Sequence, residues 1–234
     1  MELVAYKNDA SLKKRVVAEI ERHRKMDAIE QGTYGRENGQ WRGCAVSCTL
    51  RSLAILDKEE LHTKYEDHAL YETKLGIPEW LARLEDTIFE GLPVEEARKW
   101  PGLFAEAINV GANLEPVKWK FCAFILKENI KQILKLNIKD NMKKKVIKAI
   151  QGVLFLHEKA LVTGVWDESA AWSAVRSAES AARSAESAVR SAESARSAAW
   201  SAAWSAARSA AESARSAAYQ AYAKELLRIL KETK

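Results

Sequence analysis

From Asp167 to Lys234 the chain contains neither Gly nor Pro, and through most of that stretch Ser-Ala recurs every three or four residues. The fourteen serines from Ser169 to Ser216 span 47 residues in thirteen intervals, a mean of 3.6. That is the residue count of one α-helical turn, so the serines form one lengthwise stripe and the alanines after them a second. Ala is the best helix former and no breaker interrupts the run, so one very long helix is predicted, roughly 100 Å at 1.5 Å per residue. A compact domain made of the preceding residues would be only about 35–40 Å across. Such a helix must protrude, wrap round the domain or pair with another helix.

The residues before the serines are bulky or charged, and from Arg176 to Arg196 they follow a strict heptad, Arg-Ser-Ala-Glu-Ser-Ala-x. Arg and Glu alternate three or four apart, as in a salt-bridge ladder worth only about 0.2–0.5 kcal/mol per pair. The small Ser and Ala stripes bury little alone but let another helix come close. A coiled coil with itself or with core helices is therefore expected, against the alternative of a solvated spacer. Trp172, Trp200, Trp204 and Tyr219 interrupt the smooth surface. They are candidate partner-binding residues, or anchors for docking on the chain's own domain.

Ahead of this segment, residues 1–165 are expected to form a helical globular domain, and residues 166–234 the long helix. The predicted fold class is all-α, with a small β-hairpin near residues 33–42 signalled by Asn38-Gly39. Helices are expected from Asn8 or Asp9 through Ile29, over Cys44–Leu56, over about Lys58–Leu75, and over Glu79–Glu90 opened by Pro78. Two short helices separated by Pro101-Gly102 come next, then an apolar helix after Pro116 and a last core helix from Asp140 to about Val162. Asp167 is a plausible cap for the long helix.

Gly43-Cys44-Ala-Val-Ser-Cys48 is the most pointed chemical motif. A thiol at a helix N-terminus feels unpaired N–H groups, which favour thiolate, so Cys44 is a candidate nucleophile with His68 or His62 as base. Cys44 and Cys48, one turn apart, are also candidate metal ligands. Both can equally be small buried residues at a close helix approach. Glu85, Asp86 and Glu90 read as a solvated face or salt-bridge partners, and His157 reads as a core histidine. Three cysteines are too few for a disulfide framework, and reduced thiols are expected.

Charge is segregated. Glu79 to Glu115 holds eight acidic residues, and Lys118 to Lys148 holds ten lysines against Glu128 and Asp140. Lys127, Lys131, Lys135, Lys139 and Lys143 recur every fourth residue. They can meet a polyanion such as nucleic acid through phosphate contacts, but the segment has no Arg for bidentate base readout, which makes nucleic acid a weak expectation. A solvated amphipathic face has the same pattern. No stretch approaches a membrane span, and the start lacks signal-peptide shape, so a cytoplasmic protein without membrane association or cofactor is expected.

Ala5-Tyr-Lys-Asn-Asp9, Gly43-Cys-Ala-Val-Ser-Cys-Thr49, the segment Gly76-Ile-Pro-Glu-Trp-Leu-Ala-Arg-Leu-Glu-Asp-Thr-Ile-Phe-Glu-Gly-Leu-Pro93 and the Ala-rich tail resemble a group of uncharacterised bacterial and phage or prophage proteins. The resemblance brings no known activity. It implies a Cys-Cys-His site, with Ser47 and Arg51 where similar chains often carry Gly and His. The expected function is a non-enzymatic helical interaction or assembly protein, tied to phage or mobile elements, that uses the long helix to form a homo-oligomer or bind a protein partner. The alternative is a Cys44-dependent enzyme or metal-binding protein, and the weaker alternative is polyanion binding through residues 118–148.

Overall fold

A computed structural model describes residues 3–38, 40–58, 67–135, 137, 139–170, 173 and 200–234. The fold is all-α, and its described residues include one short hairpin. The chain divides into two units, the first made of Met1–Val117 with Ala214–Lys234 and the second of Lys118–Ser213. The first unit is therefore discontinuous in sequence.

In the first unit, α1 (Ala10–Lys25) begins where the Asp9 carboxylate accepts from the Ser11 N–H at 2.7 Å, the expected cap. Its buried face is Val16, Ile20 and His23, spaced four and three residues apart. Strands β1 (Arg36–Asn38) and β2 (Gln40–Arg42) pair antiparallel within the predicted hairpin, and α2 (Ala45–Asp57) follows. The helix expected from Lys58 is described only as α3 (Leu70–Leu75), since residues 59–66 lie outside the described ones.

Pro78 occupies the N-cap of α4 (Glu79–Gly91), as its fixed φ suits. Beyond the single turn α5 (Val94–Ala97), Pro101 does not separate two helices as expected. It stands in the first turn of α6 (Trp100–Ala107), where its missing N–H costs nothing. Helix α1 packs on α2 and α6, and α4 packs on the same two helices.

The last helix of the chain, α9 (Trp200–Glu232), ends in the first unit. Ala223, Leu226, Ile229 and Leu230 are buried at helical spacing. The free carbonyls of its last turn find a donor from elsewhere in the unit: the Asn109 side-chain amide reaches Lys231 O at 3.0 Å and Thr233 O at 2.7 Å. Gln220 donates to Glu96. The Tyr219 ring lies so close over Gly91 that a Cβ there would overlap three of its carbons.

In the second unit, α7 (Glu115–Lys135, begun in the first unit) and α8 (Asp140–Thr163) run antiparallel. Lys127 on α7 pairs with Glu158 on α8 at 2.9 Å, and Trp119 stacks on Trp166 beyond the end of α8 with centroids 4.9 Å apart. After Gly164, Asp167 accepts from the Ala170 N–H at 3.0 Å, as expected of a helix cap. Trp172 and the heptad 176–196 lie outside the described residues.

The contact between Tyr219 and Gly91 yields a thermodynamic cycle. Gly91→Ala should cost about 1–3 kcal/mol by forcing the ring away. In a Tyr219→Ala background the same change should be neutral or stabilising, because Ala is the better helix residue. Urea midpoints of the four proteins measure it, and equal costs in both backgrounds would show that the ring is not the source.

Candidate functional site

Sequence placed Glu85 and Asp86 on a solvated face; the structure buries both. The inner face of α4 is Leu81, Ala82, Glu85, Asp86, Ile88 and Phe89. Glu85 is 0% exposed. Its Oε2 accepts from the Tyr71 hydroxyl at 2.8 Å and its backbone carbonyl from Trp100 Nε1 at 3.0 Å, while Oε1 has no hydrogen-bond partner. Burial, then the neighbouring Asp86 charge, hold this carboxyl well above the ordinary carboxylate range, opposed by the Tyr71 hydrogen bond. Glu85 therefore keeps its proton to higher pH than an ordinary carboxyl does.

Asp86 lies next to it with Oδ1 also unpartnered. Its Oδ2 is 3.5 Å from the Tyr34 hydroxyl and 3.6 Å from His68 Nε2, the latter beyond hydrogen-bond length but within ion-pair reach. Glu90, the third carboxylate of the set, stays at the surface and accepts from the Gly32 N–H at 3.0 and 3.1 Å.

Across from α4, Cys44 does occupy the N-cap of α2, held there by a loop laced to the chain before it. Gly43 N–H donates to Ala28 O at 2.9 Å, Glu30 N–H to Gly43 O at 2.9 Å and Cys44 N–H to Thr33 O at 2.8 Å. Gly43 permits this path, since a Cβ there would meet Ser47 Oγ and the Trp41 ring.

The expected activation of Cys44 is reversed. Its thiol is 1% exposed and its pKa is pushed up to about 12, first by burial and second by the nearby Asp86 carboxylate. Its 3.3 Å contact with Ser47 Oγ opposes the shift without overcoming it. The helix terminus loses because removal from water and a like charge both favour the neutral thiol. His68, the expected base, has Nε2 3.6 Å from Asp86 Oδ2.

Cys48 takes a different partner. Its Sγ is 3.0 Å from His23 Nδ1, which is also 3.3 Å from Ser52 Oγ. The two thiols therefore do not converge on one histidine, and among the described residues no three His, Cys, Asp or Glu side chains are grouped to hold a metal ion. His62 lies outside the described residues. His23 is buried, and its pKa is lowered to about 4, first by burial and then by Arg22, so it is neutral at neutral pH. Sequence reasoning missed it, although its place one turn beyond Ile20 on the buried face of α1 was a usable signal.

The lysine row does not survive folding as one stripe. Lys127, Lys131 and Lys135 lie on α7, Lys139 caps α8, and Lys143 lies on α8. Lys127 is paired with Glu158, Lys131 with Glu128 at 2.5 Å, and Lys143 Nζ donates to Leu134 O at 3.3 Å. Of the partner-binding set, Tyr219 is engaged with Gly91 of its own chain. Trp200 and Trp204 belong to α9, with their side chains outside the described ones. No family model matches the chain, and no match is found among characterised proteins or solved structures.

Glu85 sets a sign for pH dependence. Because its folded pKa lies above the ordinary 4.5, its contribution to stability is complete below that value and is lost as pH rises. Glu85→Gln keeps an acceptor for Tyr71 and cannot ionise, so its urea midpoint should gain on the wild type between pH 5 and pH 8. A constant offset across that range would mean that Glu85 ionises alike in both states. His23 acts oppositely, losing its contribution as pH falls from 6.5 through about 4.

Proposed function

We propose that this chain is a non-enzymatic helical interaction protein that assembles with a second copy of itself through its second unit. The observation that carries this reading is an apolar strip on α8. Phe155 is 64% exposed and Val162 87% exposed, two turns apart on one face, with Val165 at 66% just beyond. Single exposed apolar residues are ordinary, but aligned ones mark an interaction surface.

A second copy is the occupant best supported by charge. Arg176, Glu179, Arg183, Glu186, Arg190, Glu193 and Arg196 alternate in sign, so the segment is complementary to a shifted copy of itself. Trp172, Trp200 and Trp204 serve as anchors in this reading. The cytoplasm is the compartment we assign, which the three unpaired thiols fit. The motif resemblance to phage and prophage proteins supports a role linked to mobile elements. Among the described residues no helix is long and apolar enough to cross a membrane.

Polyanion binding has less support, since the lysines it needs are divided between two helices and partly paired. Cys44 chemistry likewise lacks an activated thiol. Alkylation of the native protein at pH 8 should modify half-buried Cys122 before Cys44 and Cys48. Preferential modification of Cys44 would restore the nucleophile reading.

Light scattering tests assembly. The full chain should show a mass above the 26.2 kDa of one copy, rising with concentration. Phe155→Glu with Val162→Glu should return it to one copy with unchanged circular dichroism, because both positions face water and surface changes cost within about 0.5 kcal/mol. A wild type that stays at 26.2 kDa ends the proposal, and an unchanged oligomer in the variant removes the α8 strip from it.

A further inference from the structure

A cavity of about 240 Å³ opens between α1, β2 and α2, lined by Arg22, His23, Met26, Trp41, Arg51 and Ile55 with Ala28 beside them. None of its lining residues is acidic. Two guanidiniums reach it from different helices. Arg51 lies over the Trp41 ring at 4.8 Å from its centroid, a cation–π contact that fixes the guanidinium against this wall. Arg22 is oriented by Glu19, whose Oε2 accepts from Nε at 2.8 Å and pairs with Nη2 at 2.8 Å, while Nη1 contacts Met26 Sδ at 3.2 Å and Nη2 approaches His23 Nε2 at 3.5 Å.

The floor is His23, tilted against Trp41 with ring centroids 5.4 Å apart and backed by Cys48 and Ser52. Trp41, Met26 and Ile55 make the remaining surface apolar and, through Met26, adaptable. Donors of one charge sign around an aromatic wall match an anion with an apolar body rather than a bare oxyanion, which would leave the wall unfilled. The volume falls below the roughly 300–1,000 Å³ of drug-sized sites, which limits the ligand to a fragment.

We propose that this cavity binds a small organic carboxylate with an aromatic or branched apolar body, its carboxylate held between Arg22 and Arg51 and its body against Trp41. The buried Cys48–His23 contact beneath the ligand serves as a neutral floor and takes no proton from it. The same two arginines help burial keep His23 uncharged, so a bound anion would offset their field.

Titration calorimetry of the full chain with benzoate, inorganic phosphate and benzylamine tests the assignment. Benzoate should bind with a dissociation constant on the order of 1 mM, as expected for so small a ligand. Phosphate should bind more weakly and benzylamine not at all. Arg51→Gln and Arg22→Gln should each weaken benzoate by about tenfold or more, as loss of a charge-assisted hydrogen bond does. Arg22 is at the surface of α1, so its variant stays informative if Arg51→Gln destabilises the fold. Cys44→Ser, outside the cavity, should leave affinity unchanged. Absence of saturable benzoate binding, wild-type affinity in both arginine variants, or phosphate binding as tightly as benzoate would each overturn the proposal.

Discussion

The core left open by the first 117 residues is closed by the last turns of the chain. Leu226 and Leu230 are fully buried, Ile229 nearly so, and Asn109 supplies the donors that the final carbonyls of α9 lack. Contacts between residues more than a hundred positions apart can form only after the entropy of closing that loop has been met. The first unit is therefore a late product of folding, complete only when its C-terminal residues arrive. In sequence terms the lysine-rich hairpin and the Ser-Ala segment are an insertion into this unit.

This architecture explains what the sequence made legible. Local signals were reliable wherever one side chain meets one backbone group: Asp9 and Asp167 cap helices, and Pro78 opens α4. The 3.6-residue period identified α9 as a helix because periodicity is intrinsic to the strand of sequence that carries it. Where its end docks is not intrinsic. Tyr219 read as an anchor either for a partner or for the chain's own domain, and nothing near it in sequence announces Gly91, the small residue that receives its ring. The lysine spacing misled for a related reason: a row every fourth residue is one face only if the helix continues, and it stops at Lys135.

Glu85 and Asp86 show a different limit. Charged residues are seldom fully buried, so the prior for a solvated face was sound, and the face from Leu81 through Glu85 to Phe89 was visible only by letting a carboxylate count as core. Burial is tolerable because the raised pKa favours the protonated form, Oε2 accepts from Tyr71 and the backbone carbonyl accepts from Trp100 Nε1. Even so, a buried carboxyl with an unpartnered oxygen is held at a cost that a Gln or Leu would avoid. The cost falls where α4 meets the Cys44 turn. The N-terminus there would otherwise activate the thiol, and the Asp86 charge helps keep it neutral.

Helix α2 lies among groups of opposite charge. Glu85 and Asp86 are on the buried face of α4, and the cavity against α2 is lined by Arg22 from α1 and Arg51 from α2 itself. The helix itself presents only neutral polar atoms inward, from Ser47, Cys48, Thr49 and Ser52. Cys48 feels both sides, raised by Glu85 and Cys44 and lowered by Arg22 and Arg51, with burial outweighing all four. A charged residue at that position would have to satisfy one field at the expense of the other. A neutral thiol in contact with a neutral histidine satisfies both, because neither group gains by ionising. The buried thiols at α2 are thus kept neutral first by burial, with the surrounding charges adding to or opposing it.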